Sequence, residues 1–241
     1  MSTLALRSDA GASVISLETA IEVGHQLPAA HVFAGLKARH YRCVLVDPPS
    51  AFLAGTKGRP QHYARMSDRE IAALPVADLL HPDGAWIFLW VTSPKLYPPP
   101  GSGQLLSPAD IVRQWGAKYS ARAFVWVKTK KSAANELPFG VTTATLHRGL
   151  GYTTRKNAED CLLFKVGTPK RLAADVDEII LSPVREHSRK PDEAVERIER
   201  FCAGPRVELS HARRGRGGIA GATRLASSRR RACHERPGLQ D

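Results

Sequence analysis

The sequence predicts an α/β fold: a mainly parallel sheet with helices on both faces. Three observations predict it. Six short apolar runs are bounded by turn formers, helix-start signatures lie between some of them, and the two kinds of segment alternate along the chain. At 241 residues with 43% hydrophobic content, the chain can bury one good core and is expected to form one domain with tails.

The expected strands are residues 43–46 (CVLV), 85–91 (AWIFLWV), 121–127 (ARAFVWV), 160–166 (DCLLFKV), 178–181 (EIIL) and 206–209 (RVEL). Between the first two, Ser67 and Glu70 have capping-box spacing and precede apolar residues that suit a short helix. Before the last strand, Pro191 opens a helix whose first turn carries Asp192 and Glu193, where the helix dipole favours anions. Val195, Ile198 and Cys202 fall on one face of it, and Gly204 is suited to end it. Residues 97–108 (YPPPGSGQLLSP) read as a loop. Trp86, Trp90 and Trp126 lie within strand patterns, so core packing is their expected role.

Composition narrows the function classes. No apolar run approaches the ~20 residues that cross a bilayer, and the N-terminus lacks a signal-peptide pattern, so a soluble, cytoplasmic protein without a membrane partner is expected. Four widely spaced cysteines include no CxxC pair, which predicts buried thiols and no metal site. The net charge is +12, but from Ser210 onward eight arginines face only Glu235 and Asp241. Half of the surplus therefore sits in the last 32 residues, and the body is only mildly basic.

The stretch YRCVLVDPPSAF carries the chemistry. Ligands of an open parallel sheet sit beyond the carboxyl ends of its strands, where Asp47 follows the strand 43–46. Pro48 and Pro49 fix the backbone and bring carbonyls without N–H donors. An acceptor-only corner suits a planar amino group such as the exocyclic amine of adenine or cytosine. Gripping its hydrogens favours the pyramidal form that can attack a methyl sulfonium. A tight strand exit is the structural alternative.

The strand-DPP corner, then GRPQHYARMSDREIAALPV, FVWVKTK, GLGYTTRKNAEDCLLFKVGTPKR and REHSRKPDEAVERIERFCAGPRVEL, stand in an order that resembles the MT-A70-like adenine-N6 methyltransferases of bacteria, phages and eukaryotes. The likeness runs from about residue 41 to 209, and TRKNAEDCLL and EHSRKPDE are its most specific parts. It implies a Rossmann-like domain in a circularly permuted methyltransferase order, with S-adenosylmethionine as cofactor and adenine N6 in nucleic acid, DNA before RNA, as substrate. A second copy of the chain or a partner subunit is a further expectation. The family's DPPW motif maps onto Asp47, Pro48, Pro49 and, imperfectly, Ser50, the expected catalytic residues. Asp47, Lys165, Glu208 and Leu209 are expected on the cofactor side; Phe52, His62 and Tyr63 on the substrate side. His187, Ser188, Arg189 and Lys190 are expected to cap and solvate the following helix, and Lys128 to Lys131 (KTKK) to form a solvated run with phosphate binding as its alternative.

Two departures from the family stand out. Ser50 replaces an aromatic residue that would stack on the target base, and Phe52 is the candidate substitute. The family ending of the type ELFAR followed by PGWDCWGNE is replaced by ELSHARRGRGGIAGATRLASSRRR. Codons for Gly217 to Arg224, read two bases later, can encode Trp-Asp-Cys-Trp-Gly-Asn-Glu, so a single-base deletion near Ser210 is expected to have produced this tail, with an authentic basic tail that binds nucleic acid as the alternative. On this reading residues 1–35 are an extension, 36–209 the methyltransferase domain and 210–241 a basic tail. The alternatives are a catalytically impaired nucleic-acid-binding relative and a cytosine-N4 methyltransferase.

Overall fold

The computed structural model describes residues 3–8, 33, 35–50, 66–98, 105–132, 142–149, 151, 154–186 and 189–212. In chain order the elements are β1 (Thr3–Ser8), β2 (Cys43–Asp47), α1 (Asp68–Ala72), a 3-10 turn (Val76–Leu79), β3 (Gly84–Val91), α2 (Ser93–Leu96), α3 (Pro108–Gln114), β4 (Lys118–Thr129), β5 (Ala158–Gly167), β6 (Ile179–Pro183), α4 (Asp192–Phe201) and β7 (Arg206–Ala212). The fold is the expected Rossmann-like α/β architecture. All six expected strands are present, and β4 is longer at both ends.

One seven-stranded sheet has the order β1-β7-β2-β3-β5-β4-β6. β2 is parallel to both β3 and β7, and β4 is parallel to β6. β1/β7, β3/β5 and β4/β5 are antiparallel, so the sheet is more mixed than a mainly parallel one. The reversals have local causes: β5 returns directly against β4, and β1 adds an edge within the expected N-terminal extension. β7, last in sequence, lies beside β2, as a permuted strand order requires, and it runs on to Ala212.

Alternate residues of each strand feed two cores. Val44, Val46, Ile87, Leu89, Leu162, Phe164, Val207 and Leu209 pack with Ile71 of α1 and Ile111 and Val112 of α3 on one face. Cys43, Leu45, Trp86, Phe88, Trp90, Trp126, Cys161 and Ile180 pack with Ala194 and Ile198 of α4 on the other. Helices thus cover both faces. The three described cysteines, Cys43, Cys161 and Cys202, are buried free thiols; Cys233 lies outside the described residues.

Local signatures explain the helix starts. Ser67 and Glu70 form the expected reciprocal capping box on α1. Helix α3 lies just past the stretch read as a loop, and its own box pairs Ser107 with Asp110 behind Pro108 at the first turn. The S-P-A-D string signals that start; the proline-rich run before it masked the signal. Helix α4 begins at Asp192 with Pro191 as N-cap and ends at Phe201, with Gly204 in the following turn at φ +87°. Among the described residues, no helix is long and apolar enough to cross a membrane.

Candidate active site

The strand directions bring the carboxyl ends of β2, β3, β4, β6 and β7 to one edge of the sheet, together with the amino end of the antiparallel β5. That edge holds the DPP corner. Asp47 closes β2 opposite Ser210 of β7, and its position in the alternation directs it to the α4 face with Cys43 and Leu45. Past it the chain turns tightly: the Ser50 N–H donates to the Pro48 carbonyl at 2.7 Å, and the Met66 N–H donates to the Pro49 carbonyl at 2.8 Å. Among the described residues, the Ser50 N–H is the one hydrogen-bond donor to the Pro48 oxygen, which engages one of its two lone pairs. Ser50 bridges to Met66, the two residues that flank the segment 51–65. Phe52, His62 and Tyr63 belong to it and lie outside the described residues.

A cluster of four alternating charges lies on the α4 side. The Lys190 ammonium donates to Asp47 Oδ1 at 2.8 Å and lies 3.1 Å from Glu159 Oε1. Lys128 donates to Glu159 Oε2 at 2.6 Å. Lys190 also sits over the Trp90 ring at 5.5 Å, and Lys128 over the Trp126 ring at 4.6 Å. The Lys190 and Glu159 side chains are 15% and 10% exposed, whereas Asp47 keeps 22%, so the aspartate is the cluster's most open carboxylate.

Burial pushes the Asp47 carboxyl above the ordinary aspartate value, with Lys190 opposing and the negative charges of Glu159 and Glu208 adding to the rise. Burial also acts to raise Glu159, but Lys190 and Lys128 outweigh it and hold that carboxyl below the usual glutamate value. For Lys190, burial works against the charge; Asp47 and Glu159 prevail and keep the ammonium protonated well above the ordinary lysine range. Strongly perturbed groups converging at a strand-end cleft mark a functional site.

On the other side of the corner is a small cleft of about 20 Å³, bounded by Pro48, Ser50, Leu89, Trp90, Thr92 and Asp68 among others. Its wall contains a buried ion pair, Lys95 Nζ to Asp68 Oδ1 at 2.6 Å, and the Leu106 N–H donates to Asp68 Oδ2 at 3.1 Å. Trp90 Nε1 and Thr92 Oγ1 are buried without a hydrogen-bond partner among the described residues. Such orphaned groups are rare in a finished interior and common where a ligand completes the set.

The structure sorts the expected site residues. Asp47, Pro48, Pro49 and Ser50 form the corner. Glu208 lies on the neighbouring strand in register with Leu45, partly exposed and close enough to raise Asp47. The Leu209 side chain is fully buried in the core against α1 and α3, so it offers a ligand no side-chain contact. Lys165 is not brought to the site. It pairs with Trp86 at the start of β3, and four residues of β5 separate it from Cys161, roughly 13 Å at strand rise, so it stands toward the opposite edge. The register of an antiparallel strand, invisible in the sequence, carried it there.

Lys190 corrects the expectation in the other direction. Arg189 stays at the helix start, contacting Glu186 and Asp192, as a capping cation would. Lys190 turns inward onto Asp47 instead. Its neighbours His187 and Ser188 lie outside the described residues. Glu159 was not singled out in the sequence; its signal was a charged residue at the mouth of the apolar run in TRKNAEDCLL. Trp86, Trp90 and Trp126 are core residues as expected, although the rings of Trp90 and Trp126 also floor the charged cluster. Lys128 belongs to that cluster rather than to a solvated run.

A family model described as MT-A70 matches residues 41–218. The N(6)-adenosine-methyltransferase MT-A70-like protein of Drosophila melanogaster is 34% identical over 149 residues, covering 61% of this chain and 21% of that protein. The N(6)-adenosine-methyltransferase subunit METTL3 of Danio rerio is 27% identical over 216 residues, covering 85% of this chain and 32% of that protein. The human N(6)-adenosine-methyltransferase catalytic subunit METTL3 is 30% identical over 149 residues, covering 61% of this chain and 22% of that protein. The chain therefore spans between a fifth and a third of the length of these curated relatives. With more than half of its residues matched, the chain belongs to the MT-A70 family.

Proposed function

We propose that this protein transfers a methyl group from S-adenosylmethionine to the N6 amine of adenine in nucleic acid, DNA before RNA. The observation that carries the reading is the Asp47 carboxylate, held at an open strand-end corner with the half-engaged Pro48 carbonyl beside it. Family membership and the names of the relatives support the reaction class.

The residues present fit the cofactor. Asp47 and Glu208 lie on adjacent strands and provide anionic acceptors for a cationic, hydroxyl-bearing molecule, and the buried Trp90 N–H and Thr92 hydroxyl, unpaired among the described residues, can take polar partners. S-adenosylmethionine, when bound, supplies an electrophilic methyl group on a sulfonium. Asp47 and the open lone pair of Pro48 accept the two amine hydrogens and draw the nitrogen lone pair out of the ring. Pro49 stiffens the corner so that this geometry precedes substrate arrival. With the methyl delivered to the nitrogen, Asp47 would receive the amine proton that is released and pass it on to water.

The test is methyl incorporation from labelled donor into adenine-containing DNA duplexes and RNA, read by nucleoside analysis. N6-methylated adenine nucleoside, absent with Asp47→Asn, is the expected result. N4-methylcytosine would replace adenine by cytosine as substrate. One observation favours a second reading, a binding protein with impaired chemistry: Ser50 brings no ring to the corner where the family pattern has one. Nucleic-acid binding without donor binding by calorimetry would establish it.

A further inference from the structure

Asp47 has two claims on it. The methyl-transfer reading needs its carboxylate to receive an amine, yet the Lys190 ammonium already occupies Oδ1 at 2.8 Å. A second carboxylate, Glu159, lies 3.1 Å from the same ammonium. We propose that Glu159 is a positioning residue for the transfer: it is the second seat of Lys190, holding the ammonium while Asp47 turns from it to the substrate amine. The proposal rests on the methyl-transfer reading.

The surroundings permit this exchange and little else. Among the described residues, the charged or titratable groups facing Asp47 are Lys190 from the chain before α4, Glu159 and Cys161 from β5, and Glu208 from β7; β3 contributes the uncharged Trp90. Glu159 itself faces Lys190 and Lys128. Lys190 is a largely covered cation, 15% exposed, so leaving Asp47 unaccompanied would cost it most of its charge pairing. With Glu159 in contact and the Trp90 face beneath, it shifts its hydrogen bonding without losing a charge partner. Lys128 on the far oxygen fixes the Glu159 side chain, so that seat does not move.

The same geometry accounts for the proton. As the N–C bond forms and the carbon–sulfur pair returns to sulfur, the amine proton goes to Asp47, which becomes neutral. Lys190 then has one carboxylate left, and it is Glu159 that balances it until Asp47 releases the proton to water.

Glu159→Gln removes the second seat and leaves Lys190 with Asp47 alone. The expected result is a kcat lowered about tenfold or more with the KM for donor nearly unchanged, since the loss falls on the transition state rather than on ground-state binding. Asp47 is then paired more strongly and ionises more easily, so the acid limb of the kcat profile moves to lower pH. Lys190→Gln moves that limb to higher pH. Those two displacements follow from the charges alone; what a merely structural role would not give is a fall in kcat at nearly unchanged KM that Glu159→Asp restores. Glu159→Asp, which keeps the charge, is expected to restore the limb toward that of the parent chain.

The Asp47 titration itself, followed by NMR on carboxyl-labelled protein and assigned with Asp47→Asn, gives a readout independent of activity. Opposite displacements in Glu159→Gln and Lys190→Gln are expected. Displacements of the same sign, an unmoved titration, or a Glu159→Gln defect confined to KM would overturn the proposal. A parent chain that methylates nothing, while its Asp47 still responds oppositely to the two changes, overturns the proposed function and the transfer role with it, and shows only that the ammonium has two seats.

Discussion

Lys190 Nζ lies 2.8 Å from Asp47 Oδ1 across 143 residues of sequence, closing the loop before α4 onto the end of β2. A contact of that span ties the helix on one face to the DPP corner. Because the ammonium serves two carboxylates at once, its removal leaves Asp47 without its ion-pair partner and Glu159 with Lys128 alone. Lys190→Met is expected to destabilise the fold by about 3 kcal/mol, read from urea unfolding midpoints. A loss below about 1 kcal/mol would mean that the cluster is already water-screened.

Stability against pH carries the sign of each shift. Glu159 is lowered in the folded chain, so its contribution is present above the unfolded value near 4.5 and is lost as pH falls through the folded value. Lys190 is raised, so its contribution is present below the unfolded value near 10.5 and is lost at higher, alkaline pH. Asp47 is raised and acts against Glu159 on the acid side. Glu159→Gln is therefore expected to flatten the acid loss of stability; an unchanged slope in urea midpoints across acid pH would contradict it.

Ser50 stands at the rim of the cleft with its N–H turned to Pro48. Ser50→Trp is expected to tighten the KM for nucleic acid about tenfold through base stacking, with donor binding unchanged. A weakened donor affinity by calorimetry would show instead that the new ring blocks the cleft.

Asp68 and Lys95 make the cleft wall from a carboxylate 1% exposed and an ammonium 11% exposed. Lys95→Met leaves that carboxylate buried with the Leu106 N–H and is expected to cost about 3 kcal/mol, whereas Asp68→Leu with Lys95→Met costs clearly less than the two single changes summed. Additive losses would show that the pair is not coupled.

The end of the chain makes a genetic prediction. If a base was lost near Ser210, the restored frame reads Leu-Phe-Ala-Arg after Glu208 and later Trp-Asp-Cys-Trp-Gly-Asn-Glu. The restored chain is expected to bind S-adenosylmethionine at least tenfold more tightly by calorimetry, a step of about 1.4 kcal/mol or more. Equal affinity, or relatives of the clone that carry the present frame intact, would make the arginine-rich tail authentic.

The sequence by itself determined the strands, the two signalled helices, the corner and the family, because each is written locally. Apolar runs between turn formers, the Ser67 and Glu70 spacing, and an aspartate before two prolines act over a few residues. Helix α3 was lost to a local conflict, since the prolines of 98–100 outweighed the capping box that follows. What only the tertiary structure decided is which charges meet. The sequence gives no sign that β5 runs antiparallel between β3 and β4, and that one choice sets Glu159 beside Lys190 and Lys165 toward the far edge. Lys190 reads like the exposed capping cation that Arg189 is. Its inward turn depends on two carboxylates and an indole face that arrive from three other strands, and a buried charge takes its place only where such partners converge.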